Sequence, residues 1–258
     1  MDTSKQRNIE TFTRMAETYG GYYSDAEQAR LGAMAERVGF GEGSWLVDFG
    51  MGTGTSAKPF LAAGGNVVGL DLTPAMATRG RERLREWGLV ANARYVMANA
   101  HDAPLAAGMA DAAICRHTFH HLEDPNKVFG EMARAVRPGG HVFLIDYHYP
   151  DEAEEREKID ALDRIREPTI TRHLSGKEME GLFREEGIEI EETVVDRTDT
   201  PFDEWMDAAK TAPEAFPKLR AAFEALRDQG GSWYEEKGYG AEFSIIRKRL
   251  TILGQKPG

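Results

Sequence analysis

An α/β fold with a mostly parallel sheet and helices on both faces is predicted by three features of the sequence. Short apolar runs of strand length alternate with stretches of helical periodicity. A glycine-rich turn, GMGTG, directly follows the first run and opens the next segment. An acid, Asp71, closes the second run, 71 − 50 = 21 residues after the first glycine of that turn.

The elements follow in order. NIETFTRMAETY places Ile9, Phe12, Met15 and Tyr19 near helical spacing, and DAEQARLGAMAERVGF repeats the pattern after a Gly20-Gly21 break. SWLVDFG (44–50) reads as a buried strand. TGTSAKPFLAAGG reads as a helix stopped by Gly64-Gly65. NVVGLDL (66–72) is the second strand, and Thr73-Pro74 caps and opens the helix after it. ARYVMAN (93–99) and ADAAICRH (110–117) are the third and fourth strands. DPNKVFGEMARAVRPGG is an Asp-capped helix with a Pro-Gly-Gly stop, and HVFLIDYHYP (141–150) is the fifth strand. A charged helix (151–167) and a capped helix (175–187) follow. The strands 188–200 and 243–256 flank a helical insertion. One domain is expected over 1–258: an N-terminal helical segment (1–40), a core (41–200), a cap insertion (201–242) and a final strand (243–258).

Composition sets limits. The 258 residues are 41% hydrophobic and 29% charged, with a net charge of −11, as a globular chain would be. The acidic balance argues against a nucleic-acid surface. No apolar run reaches membrane-spanning length, and the polar N-terminus lacks the apolar core of a signal peptide. A single cysteine forms no internal disulfide, so a cytoplasmic setting is expected.

The turn after the first strand carries chemistry. Glycines admit close backbone approach, and a helix N-terminus offers unpaired N–H groups. Gly50, Gly52 and Gly54 give GxGxG, with Thr55 where a dinucleotide fold places its third glycine. With VVGLDLTPAM, ANAHDAPL, DAAICRHTFHHLEDP and VFGEMARAVRPGGHVFLID in the same order and spacing, the sequence resembles the class I S-adenosylmethionine-dependent methyltransferases. Within them it is similar to the small-molecule group that includes the ubiquinone/menaquinone-biosynthesis (methyltransferase type 11) enzymes. The resemblance covers about residues 10–147 and, in outline, the final strand pair.

The resemblance implies a Rossmann-like seven-stranded sheet with an antiparallel last strand. It implies that S-adenosylmethionine is bound and S-adenosylhomocysteine released. The cofactor contacts it implies are Tyr19, Asp48, Gly50, Met51, Gly52, Asp71, Leu72, Met76, Asn99, Ala100, His101, Arg116 and His121. Asp71 would hold the ribose, with Leu72 and Met76 beside the adenine; Asn99 stands where the family usually has an acid. The expected activity is methyl transfer to a small-molecule acceptor through an O, N or C nucleophile, by a monomer or homodimer with no nucleic-acid or membrane partner. His117 and His120 are the candidate catalytic residues, because a histidine near its ordinary pKa can take a proton. Tyr22, Tyr23, Tyr147 and His148 are candidate substrate contacts.

Two other readings share the pattern: a S-adenosylmethionine-binding protein without transferase activity, and a nicotinamide-dependent oxidoreductase. The second fits GxGxG poorly. A metal is not expected at CRHTFHHLEDP, because the paired ligand spacings usual in a zinc site are only half met there and a helix start follows the histidines.

Overall fold

The computed structural model describes residues 3–19, 25–228 and 244–258. Its strands are β1 (Trp45–Phe49), β2 (Asn66–Asp71), β3 (Ala93–Met97), β4 (Ala110–Arg116), β5 (Val136–Tyr149), β6 (Leu174–Ser175), β7 (Glu189–Pro201) and β8 (Ser244–Gln255). The helices are α1 (Thr3–Met15), α2 (Asp25–Arg37), α3 (Lys58–Ala62), α4 (Pro74–Glu86), α5 (Pro125–Ala135), α6 (Ala153–Arg166), α7 (Gly176–Glu185), α8 (Phe202–Ala208) and α9 (Phe216–Asp228).

The sheet order is β3-β2-β1-β4-β5-β8-β7, with the two-residue β6 beside β5. Strands β1 to β5 pair in parallel, and β8 runs antiparallel to β5 and β7. The chain therefore forms the expected Rossmann-like sheet of seven long strands with a reversed last one. The period-2 alternation of the buried strands sorts side chains onto two cores. Val47, Phe49, Cys115 and Leu144 pack toward α5 and α7. Leu46, Ile114, Phe143 and Leu253 pack with residues of α2, α3 and α4. Strand β1 lies between β2 and β4, so the crossovers leave it in opposite directions, and a crevice opens beyond its carboxyl end.

Some boundaries differ from the sequence reading. The helix expected from residue 53 begins at Lys58. Gly50, Gly52 and Gly54 hold φ values of +82°, +52° and +80°, which no α-helix admits, so the chain turns first. The helix expected to run up to the Pro138-Gly139-Gly140 stop ends at Ala135, and β5 starts at once. Pro138 disfavours helix at the residue before it, and Gly139 adopts φ +74°. Thr73 occupies the cap position of α4 without a side-chain cap bond.

The last two strands overhang the sheet. Their pairing runs from Glu189↔Gln255 to Pro201↔Ser244, whereas β5 pairs with β8 only as far as Tyr147↔Arg249. The segment 196–201 with 244–249 is thus a two-stranded ribbon beyond the sheet's carboxyl edge. Helices α6, α8 and α9 pack around its base in a small separate core built on Trp205, Phe202, Met206, Phe223 and Tyr149. Met15 at the close of α1 and Ala16 just after it pack on Met76 of α4. No helix among the described residues is long and apolar enough to cross a membrane.

Candidate active site

The crevice beyond β1 is a cavity of about 430 Å³. Its floor is the glycine turn. An added Cβ on Gly50 would lie 2.4 Å from Thr118 Oγ1, so that glycine is fixed by packing as well as by its φ. Gly52 differs: a Cβ there would meet nothing nearer than Gly50 O at 3.9 Å, and Tyr19 at 4.0 Å. Only its left-handed φ and the open cavity call for glycine. Asp71 joins the floor to the next wall. Its Oδ2 accepts from Gly52 N at 2.8 Å and its Oδ1 from Thr73 N at 2.8 Å. Burial raises its pKa, and these backbone donors pull against that rise. Each carboxylate oxygen keeps acceptor capacity for a ligand.

The remaining walls come from the ends of β3 and β4 and from α1. Met51, Leu72, Met76, Ala100, Arg116 and His121 all line this cavity, as do Asn99 and His101. Asn99 Oδ1 accepts from His101 N at 3.1 Å and lies 3.0 Å from the His101 ring Nδ1. Ser4, Lys5, Asn8 and Phe12 of α1 close the cavity from above, together with Tyr19. Asp48 does not reach it. Its carboxylate is fully buried and accepts from Ser56 Oγ at 2.6 Å, and Ser56 in turn lines the cavity.

A second cavity, of about 500 Å³, lies against the first. Tyr19, Arg116, His117 and His121 line both and form the neck between them. The outer wall is the overhanging ribbon, with Asp196, Thr198, Arg247 and Arg249 turned inward. Tyr147, Tyr149 and Trp205 complete it.

His117 sits at the neck with φ +50°, a conformation uncommon for a side chain with a Cβ. Its Nε2 is buried without a hydrogen-bond partner among the described residues, and its ring stacks on Tyr147 at 4.6 Å. Burial, then the charges of Arg116 and Arg249, hold its pKa well below the ordinary value, so the ring is neutral. His120 has the opposite setting. Its Nδ1 lies 2.7 Å from Asp146 Oδ1, and Asp146 Oδ2 accepts from the His120 backbone at 3.3 Å. Burial pulls the His120 pKa down, but the Asp146 carboxylate outweighs it and the net shift is upward. A carboxylate only accepts, so Nδ1 carries the proton and Nε2 is left to the cavity. His121 bonds Thr169 O through Nδ1 at 3.2 Å; burial and the neighbouring His120 push its pKa down to about 4.

Several groups here were not singled out from sequence. Glu27 of α2 is buried and takes Arg116 Nη2 on Oε1 at 2.5 Å and Arg249 Nη1 on Oε2 at 2.8 Å. Arg249 also meets Asp196 at 3.2 Å, and Arg30 pairs with the same carboxylate. His173 lies behind His120, with Nδ1 2.7 Å from Asp160 Oδ1. None of these pairs has a local spacing signal, because the partners come from distant segments.

Of the expected substrate contacts, Tyr147 lines the second cavity and His148 lines neither. His148 alternates to the other side of β5, where its Nδ1 approaches Gly176, so the reading of it as a cavity contact is corrected. Tyr22 and Tyr23 lie outside the described residues. Among the described residues, no three His, Cys, Asp or Glu side chains are grouped to hold a metal.

Residues 47–144 match the model of a family described as a methyltransferase domain. Over 253 residues the chain is 26% identical to the uncharacterized methyltransferase YcgJ of Bacillus subtilis (strain 168), spanning 96% of this chain and 99% of that one. The crystal structure of YcgJ matches with a TM-score of 0.80 at 22% identity, over 89% of this chain and 99% of that one. The ubiquinone/menaquinone biosynthesis C-methyltransferase UbiE of Idiomarina loihiensis is 31% identical over 118 residues, 45% of this chain and 47% of that one. The match to UbiE therefore spans about half of each protein. A geranyl diphosphate C-methyltransferase from Streptomyces coelicolor A3(2), solved with Mg2+, geranyl diphosphate and S-adenosyl-L-homocysteine, matches at TM-score 0.63 and 17% identity, over 99% of this chain and 98% of that one.

Proposed function

We infer that this chain, a class I S-adenosylmethionine-dependent methyltransferase, holds its cofactor in the first cavity and methylates a small molecule held in the second. The observation that carries this reading is the neck: two cavities of small-molecule size share four residues, two of them histidine rings. The first cavity fits the cofactor on its own geometry. The Gly52 position leaves its floor without a side chain, and Asp71 presents a carboxylate beside it.

Bound S-adenosylmethionine supplies an electrophilic methyl group on a sulfonium and ends as S-adenosylhomocysteine. The chain's own residues do the rest. The Gly50–Gly52 backbone and Met51 would hold the cofactor's amino-acid part, Asp71 would accept from its ribose hydroxyls, and Leu72, Met76 and the Asn99–His101 turn would hold its adenine. Tyr19, Arg116 and His121 frame the neck and hold the acceptor in line, and orientation supplies most of the acceleration. Where the acceptor must shed a proton, His120 Nε2 takes it as the nucleophile gains the methyl group, and Asp146 stabilises the imidazolium. His117, kept neutral, accepts a hydrogen bond through Nε2 and orients the acceptor.

Calorimetry tests the cofactor assignment. S-adenosylhomocysteine is expected to bind the wild-type chain and to lose at least tenfold in affinity in Gly52→Val, whose side chain enters the floor. NAD is expected not to bind. Saturable NAD binding with no response to S-adenosylhomocysteine would overturn the reading.

A further inference from the structure

One guanidinium joins the floor of the first cavity to its roof. Arg83 of α4 donates through Nη1 to Thr53 Oγ1 at 3.0 Å and to Tyr19 O at 3.2 Å. Thr53 stands between Gly52 and Gly54 in the glycine turn, and Tyr19 lies in the turn that follows α1. We propose that Arg83 is a positioning residue that pins the end of α1 to the glycine turn, and so sets how fast the cofactor and its product leave this cavity. The proposal rests on the reading that the first cavity takes S-adenosylmethionine.

The roof is lightly attached. Among residues 4–19, Thr11, Met15 and Ala16 are the buried ones. Met15 and Ala16 rest on Met76 at the C-terminal end of the segment. The half that overhangs the cavity carries Ser4, Lys5 and Asn8, and its Arg7 reaches Pro168 O at 3.3 Å across an exposed contact. Phe12 adds an edge contact to the His121 ring at 5.0 Å. A segment with so little buried apolar area opens at low cost.

The anchored end suits a cation. Thr18 N and Tyr19 N both donate to Met15 O, which closes the helical segment. The last carbonyls of a helix lack intrahelical donors and carry the negative end of its dipole, so a guanidinium is a favourable partner there. Arg83 reaches Tyr19 from a fixed base. Its Cζ lies over the Trp87 ring at 4.8 Å. Helix α4 is pressed against the turn, since a Cβ on Gly80 would lie 2.9 Å from Gly52 O, and that carbonyl accepts from the Tyr95 hydroxyl at 3.1 Å.

A ligand enclosed between floor and roof leaves when the two part. The Arg83–Tyr19 bond exists while they are together and is lost when they separate. It therefore favours the closed state alone. Removing a hydrogen bond from a charged donor shifts such a balance by about tenfold.

Stopped-flow displacement of S-adenosylhomocysteine from the full chain, with hydrogen exchange read by mass spectrometry on the same proteins, tests this. In Arg83→Met, which keeps the apolar stem, S-adenosylhomocysteine is expected to dissociate about tenfold faster and to associate no more slowly. Amides of α1 are expected to exchange faster than in the wild type, and those of β1, β4 and β5 at the wild-type rate. An unmoved dissociation rate would overturn the proposal, as would unchanged exchange in α1. Faster exchange across the sheet would also overturn it, because Arg83 would then serve general stability. Thr53→Val loosens the hold of Arg83 on the floor and is expected to speed dissociation by about threefold. If Arg83→Met does not fold, Thr53→Val decides, and no rise there sinks the proposal. If the wild type does not bind S-adenosylhomocysteine, the cofactor assignment fails, and α1 exchange in Arg83→Met decides by itself whether Arg83 holds the roof.

Discussion

The two cavities are walled in opposite ways. The first has a backbone floor: three glycines in the left-handed region, peptide N–H groups and a carboxylate that fixes them. The second is walled by long side chains held in ion pairs, contributed by α2, α6, β5, β7, β8 and the end of β4. A backbone wall keeps its shape when a neighbouring side chain changes. A wall of paired charges depends on every member, because removing one leaves its partner buried and unmatched. The floor of the first cavity can therefore be kept while the walls of the second are rebuilt.

The largest expected effect follows from that contrast. His120→Gln should cut methyl transfer by about 10²–10⁴-fold, the range of a lost general base, while S-adenosylhomocysteine affinity stays within about threefold. Asp146→Asn should act in the same direction and less strongly, because His120 loses its orienting carboxylate and keeps its ring. Transfer from radiolabelled S-adenosylmethionine to an acceptor that the wild type turns over, with calorimetry beside it, measures both. Equal losses in transfer and in affinity would break the division between the cavities.

Glu27→Gln comes next, and it acts on folding. The carboxylate joins Arg116 at the neck to Arg249 on the ribbon, so neutralising it removes the buried charge that both guanidinium groups share, while Arg249 keeps Asp196. Removing one member of a buried pair costs about 3–5 kcal/mol. Guanidinium unfolding should show a loss of that order, well above the effect of neutralising an exposed acid such as Glu154, which pairs with Lys158 in water. A loss below about 1 kcal/mol for Glu27→Gln would mean that the second cavity's charges are not needed to hold its wall.

What the sequence disclosed divides along the same line. The sheet, the glycine turn, Asp71 and the neck residues Arg116 and His117 were legible because each depends on local pattern: apolar runs, left-handed glycines, and spacing from a strand end. Gly50 and Gly52 announce themselves by residue type. Glu27 and Arg249 do not, because a lone acid on an amphipathic helix and a basic residue in a strand are commonplace, and only the fold brings them to 2.8 Å. His173 was missed for the same reason, since its Asp160 partner lies on the preceding helix rather than in a histidine motif. His148 was misread because one step along a strand reverses the face. The chain also departs from pattern at Asp48. The acid in VDFG resembles a ligand contact, yet the turn folds it inward onto Ser56.

Asp48 gives the next effect, and its sign can be worked out. Burial raises its pKa from 3.8 to about 7, and the Ser56 hydroxyl offsets only part of the rise. The native chain thus holds a proton that the unfolded chain releases. Its contribution to stability is complete below the unfolded value and is lost as pH rises through about 7. Wild-type stability should fall between about pH 5 and about pH 8 by more than that of Asp48→Asn, which still accepts from Ser56. At pH 8 the variant should be the more stable by roughly 1–3 kcal/mol. Thermal melting across pH measures the difference, and parallel curves for the two proteins would rule this account out.

The smallest effect belongs to the cofactor cavity and tests whether its walls are as tolerant as a backbone floor implies. Asn99 stands at the β3 end with Oδ1 accepting from His101 N, and that acceptor survives in Asn99→Asp. A carboxylate would offer the adenine amine a charge-assisted bond in place of a neutral one, a gain of about 1 kcal/mol. S-adenosylhomocysteine should bind about three- to tenfold tighter, with the melting temperature unchanged in the ligand-free protein. A tenfold weakening instead would mean that Asn99 and His101 hold the turn as a matched pair, so that this edge of the first cavity depends on its side chains as the second cavity does.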